Sequence, residues 1–148
     1  MSFEQAVYNT ETLGSCMERG LQALGPNSVK IKAEIPRQID GSVDLDSCVS
    51  GNYPNDSRWD YIIGYNGEAY FIEVHPAQSA HVNEVIKKLD WLKSWLNAHA
   101  PELNRIKAAD RPFRWVATSN VHIIKGSPQA LRLAQSGLAF PEKITRIK

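Results

Sequence analysis

The sequence predicts a single α/β domain covering residues 1–148, and three patterns predict it. Aromatic and β-branched residues on either side of Asn66-Gly67 read as a β-hairpin. From Ser79 to Ala98, apolar residues recur at helical spacing, the mark of an amphipathic helix. Helical periodicity also occupies the stretch before Gly25, so helices precede and follow the strands and both faces of a sheet can be covered.

Taken in order, Phe3, Ala6, Val7, Leu13, Met17, Leu21 and Leu24 form one rough stripe, interrupted near Asn9-Thr10, and Gly25-Pro26 ends that first helix. Ile31, Ala33 and Ile35 alternate with charged residues as a short strand closed by Pro36. Val43, Leu45 and Val49 continue in strand-like alternation through Asp44 and Asp46. The stretch from Gly51 to Ser57 is a loop.

In the hairpin, Trp59 to Tyr65 pairs with Glu68 to Val74. With Asn66-Gly67 as a type I′ turn, Tyr65 lies opposite Glu68, Ile63 opposite Tyr70, Tyr61 opposite Ile72, Asp60 opposite Glu73 and Arg58 opposite His75. Alternation then puts Trp59, Tyr61, Ile63, Tyr65, Tyr70, Ile72 and Val74 on one face. The other face holds Asp60, Ile62, Gly64, Ala69, Phe71, Glu73 and His75.

After Pro76, Ser79 is the expected N-cap of the long helix, whose stripe is Val82, Val85, Ile86, Leu89, Leu92 and Leu96, with Trp91 and Trp95 on its flank. Phe113 to Thr118 reads as a strand and Val121 to Ile124 as a further short one. Ser127-Pro128 opens a helix over Gln129 to Gln135 that Gly137 closes. Ile144 and Ile147 mark a last short strand or a docked tail. No repeat or linker divides the chain.

Composition narrows the function classes. The apolar share is 43% and the charged share 22%, values of a folded globular chain. Net charge is +1, so bulk charge argues for no partner. Two cysteines, Cys16 and Cys48, are too few for a disulfide scaffold and lack zinc spacing, which predicts reduced thiols in a cytoplasmic protein. No signal peptide and no membrane-spanning stretch are evident.

The chemistry-bearing feature is the charged end of the hairpin. Directly opposed carboxylates sit with Cβ atoms about 4.5–5.5 Å apart, a costly arrangement unless a proton, a basic neighbour or a divalent cation compensates. Asp60 and Glu73 are such a pair. Arg58 and His75 beside them offer a purely structural charge network, and a metal ion is the alternative.

The order helix, three strands, helix, strand, with Asp60 early in the second core strand and Glu73-Val74-His75 at the end of the third, resembles the PD-(D/E)XK, or restriction-endonuclease-like, nuclease superfamily. The resemblance extends over residues 1 to about 118. It implies a mixed sheet with a central β-hairpin flanked by helices on both faces. It also implies Mg²⁺ or Mn²⁺ held by Asp60 and Glu73 on a scissile phosphate. His75 stands where the family has its lysine, the residue that positions the attacking water, so the catalytic set it implies is Asp60, Glu73 and His75.

The chain departs from the family pattern in two places. Trp59 stands where the family has proline, and the lysine is missing. Lys87 or Lys88 on the following helix can replace that lysine, as in some members, although a solvated helix face explains both. Glu11 and Glu18 match an extra acidic position, and they also read as ordinary surface charges. Asp44 and Asp46 offer a further ligand if their strand adjoins the hairpin.

Other constellations are weaker. His81, His99 and His122 form no zinc-hydrolase unit, and no glycine pattern cradles a phosphate. Arg105, Lys107, Arg111 and Arg114 with Phe113 and Trp115 make a basic-aromatic run, and Lys143, Arg146 and Lys148 a basic tail. Either can meet nucleic acid or be plain surface. The second expectation is therefore an inactive protein of the same fold that binds nucleic acid or a protein partner. Trp91 and Trp95 offer either core or a homodimer face.

Overall fold

The computed structural model describes residues 1–148. In chain order the elements are α1 (Phe3–Tyr8), β1 (Ile31–Ala33), β2 (Ile39–Asp44), α2 (Leu45–Val49), β3 (Tyr61–Tyr65) and β4 (Glu68–His75). There follow α3 (Val82–His99), α4 (Pro101–Arg105), β5 (Phe113–Ala117), α5 (Pro128–Ser136), β6 (Ala139–Glu142) and β7 (Thr145–Ile147). Five strands form one mixed sheet in the order β2-β3-β4-β5-β6, antiparallel across the first three and parallel across the last three. β1 and β7 pair separately as a parallel ribbon. No helix is long and apolar enough to cross a membrane.

The hairpin forms in the register the sequence predicts, from Tyr65 opposite Glu68 to Tyr61 opposite Ile72. Asn66 and Gly67 both take positive φ, 50° and 81°, as a type I′ turn requires. Its two faces enter two cores. Ile62, Ala69 and Phe71 join the larger one, under α1 and α3. Ile63, Tyr65, Tyr70 and Ile72 join the smaller one, with Leu24, Ile31 and Ile147.

The α-helices thus gather on one face. The second face is covered by a 3-10 segment (Gln22–Lys30) and the β1–β7 ribbon rather than by an α-helix. Trp59 also departs from expectation. It lies beyond the end of β3, where strict alternation no longer holds, and is buried in the larger core.

Several boundaries differ from the periodicity reading. The first helix stops at Tyr8, with Ser2 and Gln5 forming a reciprocal cap at its start. Beyond it the chain turns, with Gly14 and Gly20 at positive φ, so Leu13 and Met17 reach the core from turns rather than from a helical stripe. β2 ends at Asp44, whose carboxylate caps α2 by accepting from Ser47 N at 3.0 Å, so Leu45 and Val49 are helical. His81, not Ser79, occupies the N-cap of α3, because a 3-10 turn (Ser79–His81) precedes the helix. Val121 to Ile124 forms no strand, only a bridge between Gln78 and His122. The helix opened by Ser127-Pro128 and closed by Gly137 forms as expected.

Cys16 and Cys48 are joined as a disulfide, contrary to the expectation of reduced thiols. The bond ties the turns after α1 to α2, across a sequence separation of 32. Closing a loop of this length restricts the unfolded chain and typically contributes about 2–4 kcal/mol. The double substitution Cys16→Ser with Cys48→Ser is expected to lower stability by that amount in urea melts. Excess dithiothreitol should then shift the wild-type midpoint but leave the variant unmoved.

Candidate active site

The carboxylates meet where the hairpin frays. Although the β3–β4 ladder ends at Tyr61, the chain stays close enough for Asp60 N to donate to Glu73 Oε1 at 3.2 Å. Val74 N donates to Asp60 Oδ2 at 3.0 Å. The two side chains are therefore fixed by backbone N–H groups across the hairpin, Glu73 by that of Asp60 and Asp60 by that of Val74. This is the adjacency that the register predicts.

The compensating cation is Lys88. Its Nζ lies 3.3 Å from Asp60 Oδ1 and bonds Glu73 Oε2 directly. Glu73 is fully buried, Asp60 is 21% exposed and Lys88 16% exposed. Burial is the main cause raising the carboxyls of both Asp60 and Glu73 above their ordinary range, and it takes Glu73 to about 8. The two acids hold the Lys88 ammonium above its ordinary value, outweighing burial, which acts the other way. One ammonium therefore faces two coupled carboxyls that both hold a proton more tightly than free acids do.

Geometry explains why this lysine arrives. His75 and Glu73 are two residues apart on β4, about 6.6 Å along the strand, and Glu84 and Lys88 are four residues apart on α3, about 6 Å along the helix. The near match lets the helix run antiparallel over the strand and form two rungs, Glu84 to His75 Nε2 at 3.4 Å and Lys88 to Glu73. His75 thus engages Glu84, with its Nδ1 3.0 Å from Pro76 O and its ring against His81. No hydrogen bond or ion pair joins it to Asp60 or Glu73.

The remaining candidates lie elsewhere. Arg58 does not face His75; it binds Asp46 at 2.9 Å and the Tyr53 carbonyl, because the chain leaves the strand before reaching it. That same bond occupies Asp46, while Asp44 caps α2, so neither adds a ligand. Glu11 and Glu18 are exposed and outside α1, and Lys87 is exposed. In the basic-aromatic run, Phe113, Arg114 and Trp115 are buried in β5, and Arg114 is tied to Thr145 and Arg146. Only Arg105, Lys107 and Arg111 remain at the surface.

No group of three or more His, Cys, Asp or Glu side chains is placed to share a metal ion. The set that converges is two carboxylates and a lysine. In comparisons with known proteins, no family model, no curated protein and no solved structure matches the chain.

Proposed function

We propose that the chain hydrolyses phosphodiester bonds of nucleic acid at a variant PD-(D/E)XK centre built from Asp60, Glu73 and Lys88. The observation that carries this reading is the convergence of both carboxylates on one cation at the end of β4. The order of α1, β2, β3, β4, α3 and β5, with β5 parallel to β4, supports a restriction-endonuclease-like core. Lys88 stands in for the lysine missing at His75, and it comes from the helix that follows.

The donor set fits Mg²⁺ or Mn²⁺. Two hard carboxyl oxygens converge on one point, where Lys88 stands. A divalent ion there would displace the Glu73 proton, and Mg²⁺ typically takes one or two carboxylates and completes its shell with waters and substrate phosphate. When bound, such an ion supplies Lewis-acid polarisation of the phosphoryl oxygen and a more acidic water. Asp60 and Glu73 would hold it, their orientation fixed by the backbone N–H groups of Val74 and Asp60. Lys88 supplies a fixed positive charge against the charge that develops on the phosphoryl oxygens. His75, through Glu84, keeps α3 seated on β4.

Calorimetric titration with Mn²⁺ is expected to show about one equivalent bound at micromolar to low-millimolar affinity. Asp60→Asn with Glu73→Gln should remove that binding, and cleavage of a labelled oligonucleotide should be lost with it. A wild type that neither binds Mn²⁺ nor cleaves single- or double-stranded DNA or RNA would defeat the proposal. The second reading, an inactive module of the same fold, would then stand. One observation favours it: Glu73 is fully enclosed and Lys88 already neutralises the pair.

A further inference from the structure

On the flank of α3, away from the carboxylate pair, Tyr53, Trp91 and Trp95 wall a cleft of about 240 Å³. The two indoles are nearly parallel, 9° apart with centroids at 5.9 Å, and Tyr53 meets Trp91 edge-on at 5.7 Å. Asp56 lies at the cleft and is held there by Trp91, whose Nε1 donates to Asp56 Oδ2 at 3.0 Å. Its other oxygen accepts from no protein group and is exposed. No lysine or arginine lines this cleft itself, although His99 does, and Lys87 shares an adjoining depression with Asp56 and Trp91. The chain's own cations over aromatic rings are elsewhere, Lys93 over Phe113 and Arg114 over Tyr70.

We infer that this cleft binds an arginine side chain of a peptide or protein partner. A carboxylate at the edge of an aromatic wall attracts a cation, and an indole face beside it can stack on one. A guanidinium fits better than an ammonium because its plane lies along an indole while its N–H groups donate in that plane to Asp56. The cleft is open and smaller than those that usually enclose a whole small molecule, so a side-chain tip is the appropriate occupant. The inference does not rest on the nuclease reading, since no hydrogen bond or ion pair joins Asp56 or Trp91 to Asp60, Glu73 or Lys88.

The test follows the indole N–H signals of the ¹⁵N-labelled full chain during titration with N-acetyl-arginine amide. Saturable shifts of the Trp91 and Trp95 signals are expected in roughly the millimolar range. N-acetyl-citrulline amide, neutral and of the same shape, should move them little. Asp56→Asn, a change at an exposed side chain, should weaken binding at least about fivefold. Three results would overturn the inference: equal shifts with the citrulline compound, no shift with the arginine compound up to about 50 mM, or an unaltered affinity in the Asp56 variant. An oligonucleotide that moves the same signals more tightly, with Asp56→Asn improving its binding, would also overturn it and mark the cleft as a base-stacking site.

Discussion

Lys88→Met is expected to cost about 3–5 kcal/mol of folding stability at pH 8, the loss typical when one partner of a buried ion pair is removed. Methionine keeps the length and apolar stem of lysine, so packing on α3 changes little. What disappears is the one charge facing Asp60 and Glu73. Both carboxyls are already pushed up by burial, and without the ammonium both rise further. A carboxyl whose folded pKa lies above its unfolded one favours the folded state while protonated, and that advantage is lost as pH rises from the unfolded value to the folded one. The deficit of the variant should therefore be small at pH 4.5 and grow steadily to pH 8 and beyond.

Glu73→Gln separates this cause from lost packing. Glutamine mimics the protonated acid that the wild type holds up to about pH 8. In the wild type, Glu73 disfavours folding progressively between its ordinary value of 4.5 and about 8, and the amide does not titrate. The variant should melt near the wild-type temperature at pH 5 and above it at pH 9. Urea melts of Lys88→Met and thermal melts of Glu73→Gln across this range check the pair of expectations. A pH-independent deficit for Lys88→Met would show that the cluster contributes through packing alone.

How far the sequence discloses this site depends on the range of the interactions involved. The adjacency of Asp60 and Glu73 is legible because a two-residue Asn-Gly turn fixes register locally, and the count from it holds to the last paired rung. Lys88 is harder to place because its side chain is chosen by tertiary contact. A signal nevertheless exists: Leu92 and Trp95, four and seven residues on, share its side of the helix and are buried. Lys88 therefore sits at the edge of the buried face, not on the solvated one. Arg58 shows the converse, since a register extended past the end of a ladder assigns it a partner that loop geometry removes. The Cys16–Cys48 bond was not legible at all, because the short first helix that brings the two together reads as a long one until Gly14 and Gly20 turn the chain.

Gly64→Ala is expected to destabilise the protein by about 3 kcal/mol, at the upper end of what overpacking usually costs. Gly64 lies in β3, between Gly41 on β2 and Ala69 on β4, so small residues cross three strands in one row. That row is the trough into which the N-terminal segments pack. A Cβ built on Gly64 would lie 2.7 Å from Phe3 Cδ1 and closer still to Cγ and Cδ2. Phe3 is fully buried and cannot swing into solvent without uncovering the face of the sheet. Met17 leaves little more room at Gly41, where a Cβ would meet Sδ at 3.1 Å. Glycine in a strand interior is ordinarily a weakness; here it is what lets α1 dock. Gly51→Ala, where nothing lies within 4 Å of a new Cβ, should change stability by less than about 0.5 kcal/mol. Phe3→Ala opens a cavity of its own, yet combined with Gly64→Ala it should cost clearly less than the sum of the two single changes, because removal of the ring removes the clash. Additive losses in that double-mutant cycle would mean that Phe3 does not hold α1 against Gly64.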